Sequence, residues 1–132
     1  KSYIPCLFYA PKILKPAKIS KFCGQIDVAP TIFSIMNMDI THNFGGKNMF
    51  LKPDKTKDFA YISSGSEIGY LKGDFFFAFN VNGNKNLYLY NDFSGVDYKE
   101  KYPEIFKQME EEMFALAQTS HYLLKQKRIA KQ

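Results

Sequence analysis

The sequence DFFFAFNVNGNKNLYLYN, residues 74–91, gives the clearest indication of fold class because it reads as two strands joined by a tight turn. The turn signal is Asn82-Gly83, a pair whose two residues can both adopt positive φ, as a short hairpin requires. Side chains alternate between the two faces of a strand. The first strand carries apolar residues on both faces: Phe75, Phe77, Phe79 and Val81 on one, Phe76 and Ala78 on the other. We therefore expect one face to be covered by a helix and the other by the rest of a larger protein.

The pattern of short aromatic-rich strands extends to the segments before this hairpin, and a helical pattern follows it. Two more aromatic-rich segments, FAYIS (59–63) and IGYLKG (68–73), precede the hairpin across short polar connections. Four such segments in succession predict an antiparallel meander. A long helix is predicted afterwards, from about Tyr102 or Pro103 to Lys125, because proline suits a first helical turn and apolar residues recur at spacings of three and four. The recurring positions include Ile105, Phe106, Met109, Met113 and Leu116.

The N-terminal part of the chain has the pattern of an α/β unit. Residues 3–10, YIPCLFYA, form a continuous apolar run that fits a buried strand of a largely parallel sheet. A lysine-rich loop follows, and then a helix is predicted from about Val28 to Met38. Asp27 is placed to cap that helix with its side chain. Pro30 falls in the first turn, where a missing N–H costs nothing because the helix leaves that group unpaired.

These elements together predict an α+β fold. A strand, a loop and a helix come first, then a four-stranded antiparallel meander and a long C-terminal helix. We divide the chain into residues 1–52, the strand and helix, and residues 53–132, the antiparallel strands with the terminal helix, because the stretch LKPDKTKD reads as a polar connection. The chain begins with Lys1 and enters an apolar segment directly. We therefore expect it to be a C-terminal fragment of a longer protein.

The net charge of +5 favours contact with anions without establishing it. Much of the excess lies in APKILKPAKISK (10–21) and KQKRIAKQ (125–132), and the simplest interpretation is a solvated loop and a solvated tail. No apolar run of the sequence approaches the roughly 20 residues that a membrane-spanning helix needs, and the sequence shows no signal-peptide pattern. We expect this piece of the protein to be soluble.

The cysteines Cys6 and Cys23 are too few for a disulfide scaffold and lack zinc-site spacing. Each is expected to be a small buried residue. A Cys6–Cys23 disulfide stays open as an alternative if the protein works outside the cytoplasm.

The sequence offers no residue set that would support catalysis. His42 and His121 have no second histidine at metal spacing, and HExxH, GxSxG and phosphate-loop patterns are missing from the sequence. Asp27 could in principle bind a metal, but its capping role explains it. The run EEE at 110–112 is placed mainly on the polar face of the terminal helix, where it would cover that helix with charge. We assign no catalytic, cofactor-binding or metal-binding residue.

The stretch KGDFFFAF, residues 72–79, loosely follows the aromatic pattern of an RNA-recognition strand, and the chain is basic. The order of elements argues against that fold, which alternates strands with helices. Asp74 also stands where the motif expects an aromatic residue. We therefore expect these aromatics to lie in the core and expect no nucleic-acid partner.

Three segments carry a resemblance to a known family. IPCLFYAP (4–11), GQIDVAPT (24–31) and FGGKNM (44–49) are similar to consecutive motifs of the sulfatase domain in the alkaline phosphatase superfamily, and most of all to its lipoteichoic acid synthase and phosphoglycerol transferase branch. Residues 60–80 and 118–128 resemble the closing strands and the terminal helix of that domain, so the resemblance covers nearly the whole chain. Its most specific part is Gln-Ile-Asp-x-x-Pro-Thr, at 25–31.

The resemblance implies the C-terminal piece of an α/β alkaline-phosphatase-like domain. Enzymes of that family attack a phosphate or sulfate ester with a Thr, a Ser or a modified Cys. A divalent metal (Mn, Mg, Zn or Ca), held by acidic residues and a late Asp-His pair, polarises the ester oxygens. All those motifs lie upstream of residue 3, and neither Cys6 nor Cys23 lies in a Cys-x-Pro-x-Arg motif. No catalytic residue carries over, so we expect this chain alone to be inactive and the metal to bind only in the parent.

The resemblance also implies partners and a location. The parent would be membrane-anchored, with an extracytoplasmic catalytic domain in the periplasm or at the cell surface. The first partner is the upstream catalytic portion of the same polypeptide, and a strand at residues 3–10 with an open edge would also favour a homo-oligomer. One alternative is a self-contained basic, aromatic-rich module that binds anionic polymers or nucleic acid. Another is a scaffold domain without a ligand.

Overall fold

The computed structural model describes residues 4–39, 45–54 and 57–129. The elements in chain order are α1 (Val28–Ile35), β1 (Phe59–Ser64), β2 (Glu67–Lys72), β3 (Phe75–Asn80), β4 (Lys85–Leu89) and α2 (Pro103–Ile129). A short 3-10 turn, Gln25–Asp27, leads into α1. The α+β fold is therefore as predicted, with one difference at the N-terminus that is described below.

The four strands form one antiparallel sheet in sequence order, which confirms the predicted meander. Each row of the register takes one residue from every strand. One row, on the face toward α2, consists of Tyr61, Tyr70, Phe77 and Leu87. The next row, on the opposite face because side chains alternate along a strand, consists of Ala60, Leu71, Phe76 and Tyr88.

The main hydrophobic core lies between the sheet and α2. Phe77, Leu87 and Met113 are fully buried there, and Tyr70 and Met109 are nearly so. Alternate aromatics of β3 pack on the helix in three pairs with ring centroids 5.2, 5.4 and 5.3 Å apart: Phe75–Tyr102, Phe77–Phe106 and Phe79–Phe114. Buried aromatic side chains contribute large apolar areas, so these contacts dominate the stability of this face. The prediction that the β3 aromatics are core residues is confirmed for Phe75, Phe77 and Phe79, whereas Phe76 lies on the opposite face.

The opposite face of the sheet is covered in part by its own aromatics. The rings of Phe76 and Tyr88 stack with centroids 6.3 Å apart. Phe76 also lies over Gly69 of the neighbouring strand, where an added Cβ would stand 2.5 Å from the phenyl ring. Glycine at position 69 therefore lets this ring lie flat on the sheet.

The β3–β4 connection confirms the predicted hairpin but not the expected turn. Residues 81–84 form the loop, and within the Asn82-Gly83 pair Gly83 alone has a positive φ, of 86°. The Gly83 N–H donates to the Asn80 carbonyl at 2.9 Å, and the Asn82 N–H donates to the Asn80 side-chain oxygen at 2.7 Å. The Asn80 side chain thus holds Asn82 in an ordinary turn conformation, and only Gly83 enters the left-handed region.

The outer edge of β4 is covered by the loop that leads to α2. The Tyr98 N–H donates to the Leu87 carbonyl at 2.7 Å, and the Leu87 N–H donates to Oδ1 of Asp97 at 3.0 Å. Burial raises the pKa of Asp97, but hydrogen bonds from Leu87, Lys99 and Asn86 outweigh it and leave the pKa below its usual value. A covered edge cannot pair with another chain, which protects β4 from aggregation.

The two helices match their predictions at the start and differ at the end. α2 begins at Pro103 as predicted and continues past Lys125 to Ile129. α1 contains Pro30 in its first turn as predicted. It ends at Ile35, before the predicted end at Met38, because the chain turns at Asn37 with a φ of 51°.

Asp27 is the N-cap residue of α1 as predicted, but the predicted side-chain capping bond is wrong. Its side chain makes no capping hydrogen bond to α1. Oδ2 instead accepts the Gly24 N–H at 2.8 Å, and Oδ1 accepts the Lys47 N–H at 2.7 Å. The 3-10 turn places Asp27 at its last position, so the carboxylate faces back toward Gly24 and across to the loop at Lys47.

The predicted buried strand at residues 3–10 is also wrong for the part that the structure describes. Residues 4–10 have no regular secondary structure, and Ile4, Leu7 and Tyr9 are 71%, 86% and 84% exposed. Phe8 makes a ring contact with Phe50, at 5.9 Å. A strand needs a neighbour for its backbone hydrogen bonds, and the described sheet consists of β1–β4 without this segment.

Candidate functional site

Polar side chains meet between the N-terminal region and the start of β1. Five residues, which we call the junction cluster, line a cavity of about 10 Å³ with their neighbours: Lys21, Cys23, Asp27, Lys47 and Asp58. A cavity of roughly this size holds about one water molecule. The junction cluster is therefore too closely packed to receive a phosphate or sulfate ester.

Asp27 and Thr31 join α1 to the loop at residues 45–49. Asp27 accepts the Lys47 N–H through its carboxylate. Thr31 is fully buried, and its hydroxyl donates to the Asp27 carbonyl at 2.6 Å while accepting the Met49 N–H at 2.9 Å. We call these hydrogen bonds, together with the Asp27–Gly24 bond, the polar clasp. Every polar atom of the Asp27 carboxylate is engaged in it, so Asp27 holds backbone rather than a ligand.

Gly46 brings the same loop into direct contact with the 3-10 turn. A Cβ on Gly46 would overlap the carbonyl of Ile26 and stand 2.9 Å from the backbone nitrogen of Asp27. The obstructing atoms belong to backbone and cannot rotate away. Glycine is therefore required at position 46 for the polar clasp to close.

The ion pair of Lys21 and Asp58 links the N-terminal region to the sheet. Lys21 Nζ lies 3.8 Å from Asp58 Oδ1, and the two side chains are only 6% and 10% exposed. Lys21 also donates to the Leu51 carbonyl at 3.0 Å, and Asp58 Oδ2 accepts the Asp54 N–H at 2.6 Å. Both charges are thus bonded to protein groups, which a buried ion pair needs to offset desolvation.

The cysteines are free thiols in the structure, and they differ in exposure. Cys6 is exposed, which corrects the expectation of a buried residue, whereas Cys23 is partly buried at the junction cluster. Burial raises the pKa of the Cys23 thiol, and the Asp27 carboxylate raises it further. Cys23 is therefore a poor nucleophile near neutral pH.

The histidines form no site within the described residues. His121 is exposed on α2, and His42 lies outside the described ranges. Across residues 4–39, 45–54 and 57–129, no three His, Cys, Asp or Glu side chains come together in a way that could hold a metal ion. Asp74, which departs from the RNA-recognition pattern, is exposed at the turn before β3.

The acidic run of α2 turns partly toward the sheet, contrary to the prediction. Glu110 pairs with Lys85 at 2.5 Å, and Glu112 pairs with Lys72 at 2.5 Å. Only Glu111 is fully on the solvent side. The lysines that draw these carboxylates inward stand on the helix-facing side of the sheet, so the position of the run depends on strand register.

Glu112 is the centre of a hydrogen-bonded group at the edge of the core. It accepts from Lys72, from Gln108 at 2.9 Å and from the Tyr70 hydroxyl at 3.0 Å. Burial raises the pKa of Glu112, but the bonds from Lys72, Gln108 and Tyr70 outweigh it and leave the pKa below the usual value. Burial and the Glu112 carboxylate raise the pKa of Tyr70. The group holds α2 on β2 and engages both oxygens of the Glu112 carboxylate in hydrogen bonds.

Local sequence contains no signal for the polar contacts that join distant parts of the chain. Lys21 and Leu51 are thirty residues apart, and Lys72 and Glu112 are forty apart. Four of the bonds are local, with partners three or four residues apart, where spacing could have indicated them: Gly24–Asp27, Asp27–Thr31, Asp54–Asp58 and Gln108–Glu112.

Comparison with known proteins leaves the family open: no family model matches the chain, and no curated protein matches it. Among the residues that the structure describes, no helix has the length and apolar character needed to cross a membrane.

Proposed function

We propose that this chain is the C-terminal structural portion of a metal-dependent sulfatase or phosphoglycerol-transferase-like enzyme that acts on phosphate or sulfate esters at the cell envelope. In this role the chain packs against the catalytic portion of the same polypeptide. The nucleophile and the ligands of the divalent metal belong to that upstream portion, and the parent is anchored in a membrane with its catalytic domain outside the cytoplasm.

The observation that carries the proposal is the contact between two segments of the family resemblance. The segment at 24–31 and the segment at 44–49 are far apart in sequence, yet the Lys47 and Met49 amides bond to Asp27 and Thr31. The most specific motif residues thus serve the polar clasp. A motif that encodes packing uses its polar groups on backbone partners, as this one does.

The exposed N-terminal segment supports the same proposal. Ile4, Leu7 and Tyr9 are apolar residues exposed to solvent, and Ile13, four residues after Tyr9 in sequence, is 67% exposed. Exposed apolar residues in succession mark a contact surface. An upstream portion that supplied neighbouring strands would bury this stretch and complete its backbone hydrogen bonds.

The coding sequence that precedes Lys1 is the first test. We expect about 300 residues, the length of two ordinary domains, that contain a Thr, Ser or modified Cys nucleophile and an Asp-His pair, preceded by apolar spans. An upstream sequence without a nucleophile and metal ligands would overturn the proposal.

Enzyme assays are the second test. The chain alone and the longer polypeptide are assayed with three p-nitrophenyl substrates, a phosphate monoester, a phosphodiester and a sulfate ester, in the presence of Mn²⁺, Mg²⁺, Zn²⁺ or Ca²⁺. We expect metal-dependent turnover from the longer polypeptide and none from the chain alone. Turnover by the chain alone would refute its structural role, and salt-sensitive retention of an inactive chain on heparin would favour a module that binds anionic polymers.

A further inference from the structure

The net positive charge of the chain comes entirely from its first 26 residues. This part contains five lysines and no acidic residue, since Asp27 is the first one. The remaining 13 basic residues, of 18 in all, are balanced by the 13 acidic residues, which all lie in residues 27–132. An anionic partner is therefore attracted chiefly to the N-terminal part of the chain.

Three of these lysines stand on a loop whose two ends are fixed at one place. We call residues 10–20 the lysine loop. Before it, the ring of Phe8 packs on Phe50 with centroids 5.9 Å apart. After it, Lys21 donates to the carbonyl of Leu51 at 3.0 Å. Because the two attachment points are neighbours in sequence, the loop is presented to solvent as one unit.

The lysine loop has local order and an exposed surface. The backbone N–H groups of Ile13 and Leu14 both donate to the Ala10 carbonyl, at 2.9 and 2.7 Å, which closes a turn. Leu14 is partly buried, whereas Ile13 is 67% exposed. The lysines of the loop are all exposed: Lys12, Lys15 and Lys18.

Aliphatic side chains share this surface with the lysines. Ile13 and Ile19 alternate with the lysines along the loop, and both are exposed. At the two attachment points, Phe50 and Leu51 are also exposed. The surface therefore offers positive charge and apolar area together.

An anionic lipid bilayer fits both properties of this surface. Lysine is depleted in the cores of protein–protein interfaces, where its charge would be desolvated. Nucleic acids and acidic polysaccharides attract lysines, but they offer little aliphatic surface to an exposed isoleucine. At a bilayer, the ammonium groups reach the headgroup phosphates, while the lysine stems and the isoleucines enter the boundary between headgroups and acyl chains.

We propose that the lysine loop, together with Phe50 and Leu51, docks the protein on a membrane surface that is rich in anionic phospholipid. Each lysine strengthens the binding about fivefold, and the isoleucines add apolar burial, so the binding is peripheral and reversible. The contact with an upstream portion proposed above involves Ile4, Leu7 and Tyr9, which precede the loop. The membrane contact goes beyond that proposal and does not depend on it.

The first experiment measures sedimentation of the full 132-residue chain with lipid vesicles. One set of vesicles consists of phosphatidylcholine alone, and the other of equal amounts of phosphatidylcholine and phosphatidylglycerol. We expect binding to the anionic set that weakens as salt is raised, and little binding to the neutral set. A chain that ignores the anionic vesicles, or binds both sets equally, would overturn the proposal.

The second experiment assigns the charge to the loop. Lys12→Gln, Lys15→Gln and Lys18→Gln in one chain should lower partitioning onto the anionic vesicles about 100-fold, because each lysine contributes about fivefold. The matched control removes the same net charge from exposed lysines elsewhere, again by substitution with Gln: Lys101, Lys107 and Lys125. Its partitioning should stay within about threefold of the original, because charges away from the contact are screened. Equal losses in the two variants would assign the binding to net charge and overturn the role of the loop.

The third experiment separates a lipid surface from an anionic polymer. Ile13→Ser should lower partitioning onto the anionic vesicles about tenfold, because it removes apolar area that enters the bilayer, and should leave retention on heparin unchanged. Leu124→Ser is the matched control, because Leu124 is 64% exposed and lies on α2, outside the loop. It should bind the vesicles as the original chain does. Vesicle binding that survives Ile13→Ser would show that the loop recognises polyanions in general and would overturn the lipid assignment.

Discussion

The sheet–helix unit, residues 59–129, buries Phe77 and Leu87 completely, whereas the fully buried side chain among the described residues of the N-terminal region, 4–39 and 45–54, is the polar Thr31. The first unit is held by apolar area removed from water, each large side chain contributing about 1.5–3 kcal/mol. The second buries little apolar surface, chiefly at Met49, and relies more on hydrogen bonds and an ion pair, whose net contributions are smaller. Two parts of one chain can therefore reach a defined structure by different forces.

The two regions also differ in where their exposed apolar residues stand. The sheet–helix unit packs Phe75, Phe77 and Phe79 against α2, and its exposed aromatics Phe93 and Tyr122 are far apart in sequence. The N-terminal region leaves Leu7 and Tyr9 in solvent. A region that is folded by polar contacts keeps its apolar residues available for another surface, which fits the proposed contact with an upstream portion.

The largest effect is expected from Leu87→Ala in the apolar core. Leu87 is 0% exposed, so the shorter side chain leaves a cavity and lowers the free energy of unfolding by about 2–5 kcal/mol. Urea denaturation followed by circular dichroism measures the change. Leu124→Ala is the matched control, because Leu124 is 64% exposed on α2 and its truncation should cost less than about 0.5 kcal/mol. Equal losses in the two variants would contradict the assignment of the core to the sheet–α2 interface.

A smaller effect is expected from Thr31→Val in the polar clasp. Valine keeps the shape of threonine but cannot accept the Met49 N–H, and a buried donor without a partner costs about 1–2 kcal/mol. Amide hydrogen exchange should become faster at Lys47 and Met49 while β3 amides keep their protection, because the apolar core does not depend on the clasp.

Thr119→Val is the control for the clasp variant. Thr119 is exposed on α2, so the same chemical change there should leave amide exchange at Lys47 and Met49 unchanged. The free energy of unfolding should stay within about 0.5 kcal/mol of that of the original chain. Faster exchange throughout β3 in Thr31→Val would show that the two regions unfold as one unit.

The smallest effect is expected from Glu112→Gln, and it depends on pH. The pKa of Glu112 is lower in the folded chain than its usual 4.5, so its stabilisation is present above that value and is lost as pH falls through the folded pKa. The variant should be less stable by about 1 kcal/mol at pH 7. The difference should disappear in strong acid, where the carboxyl group of the original chain is protonated.

Glu111→Gln is the control for the pH experiment. Glu111 is exposed and stands next to Glu112, so its substitution removes one negative charge without removing the bonds to Lys72 and Tyr70. Its urea midpoint should stay near that of the original chain at each pH. A pH-dependent loss as large as that of Glu112→Gln would attribute the effect to net charge rather than to the bonded group.

The predictions that held rest on local patterns. The meander was predictable because strand alternation and turn residues act within a few positions, and the start of α2 because Pro103 suits a first turn. The strand at residues 3–10 was predicted from its apolar run alone, and it failed because a strand also needs a partner. The prediction that Glu110 and Glu112 lie on the polar face of α2 was wrong because lysines of the sheet, far away in sequence, pair with these carboxylates.

Short-range periodicity and turn chemistry specify the antiparallel order of β1–β4, the apolar face of β3 and the beginning of α2, so these features can be read from the amino-acid sequence. The assembled fold brings the Asp27 carboxylate to the Lys47 amide, buries Thr31 beside Met49 and leaves residues 4–10 without a strand. These features depend on which distant groups meet, and a buried polar group or an unpaired backbone acquires its role only from the partner that the fold provides.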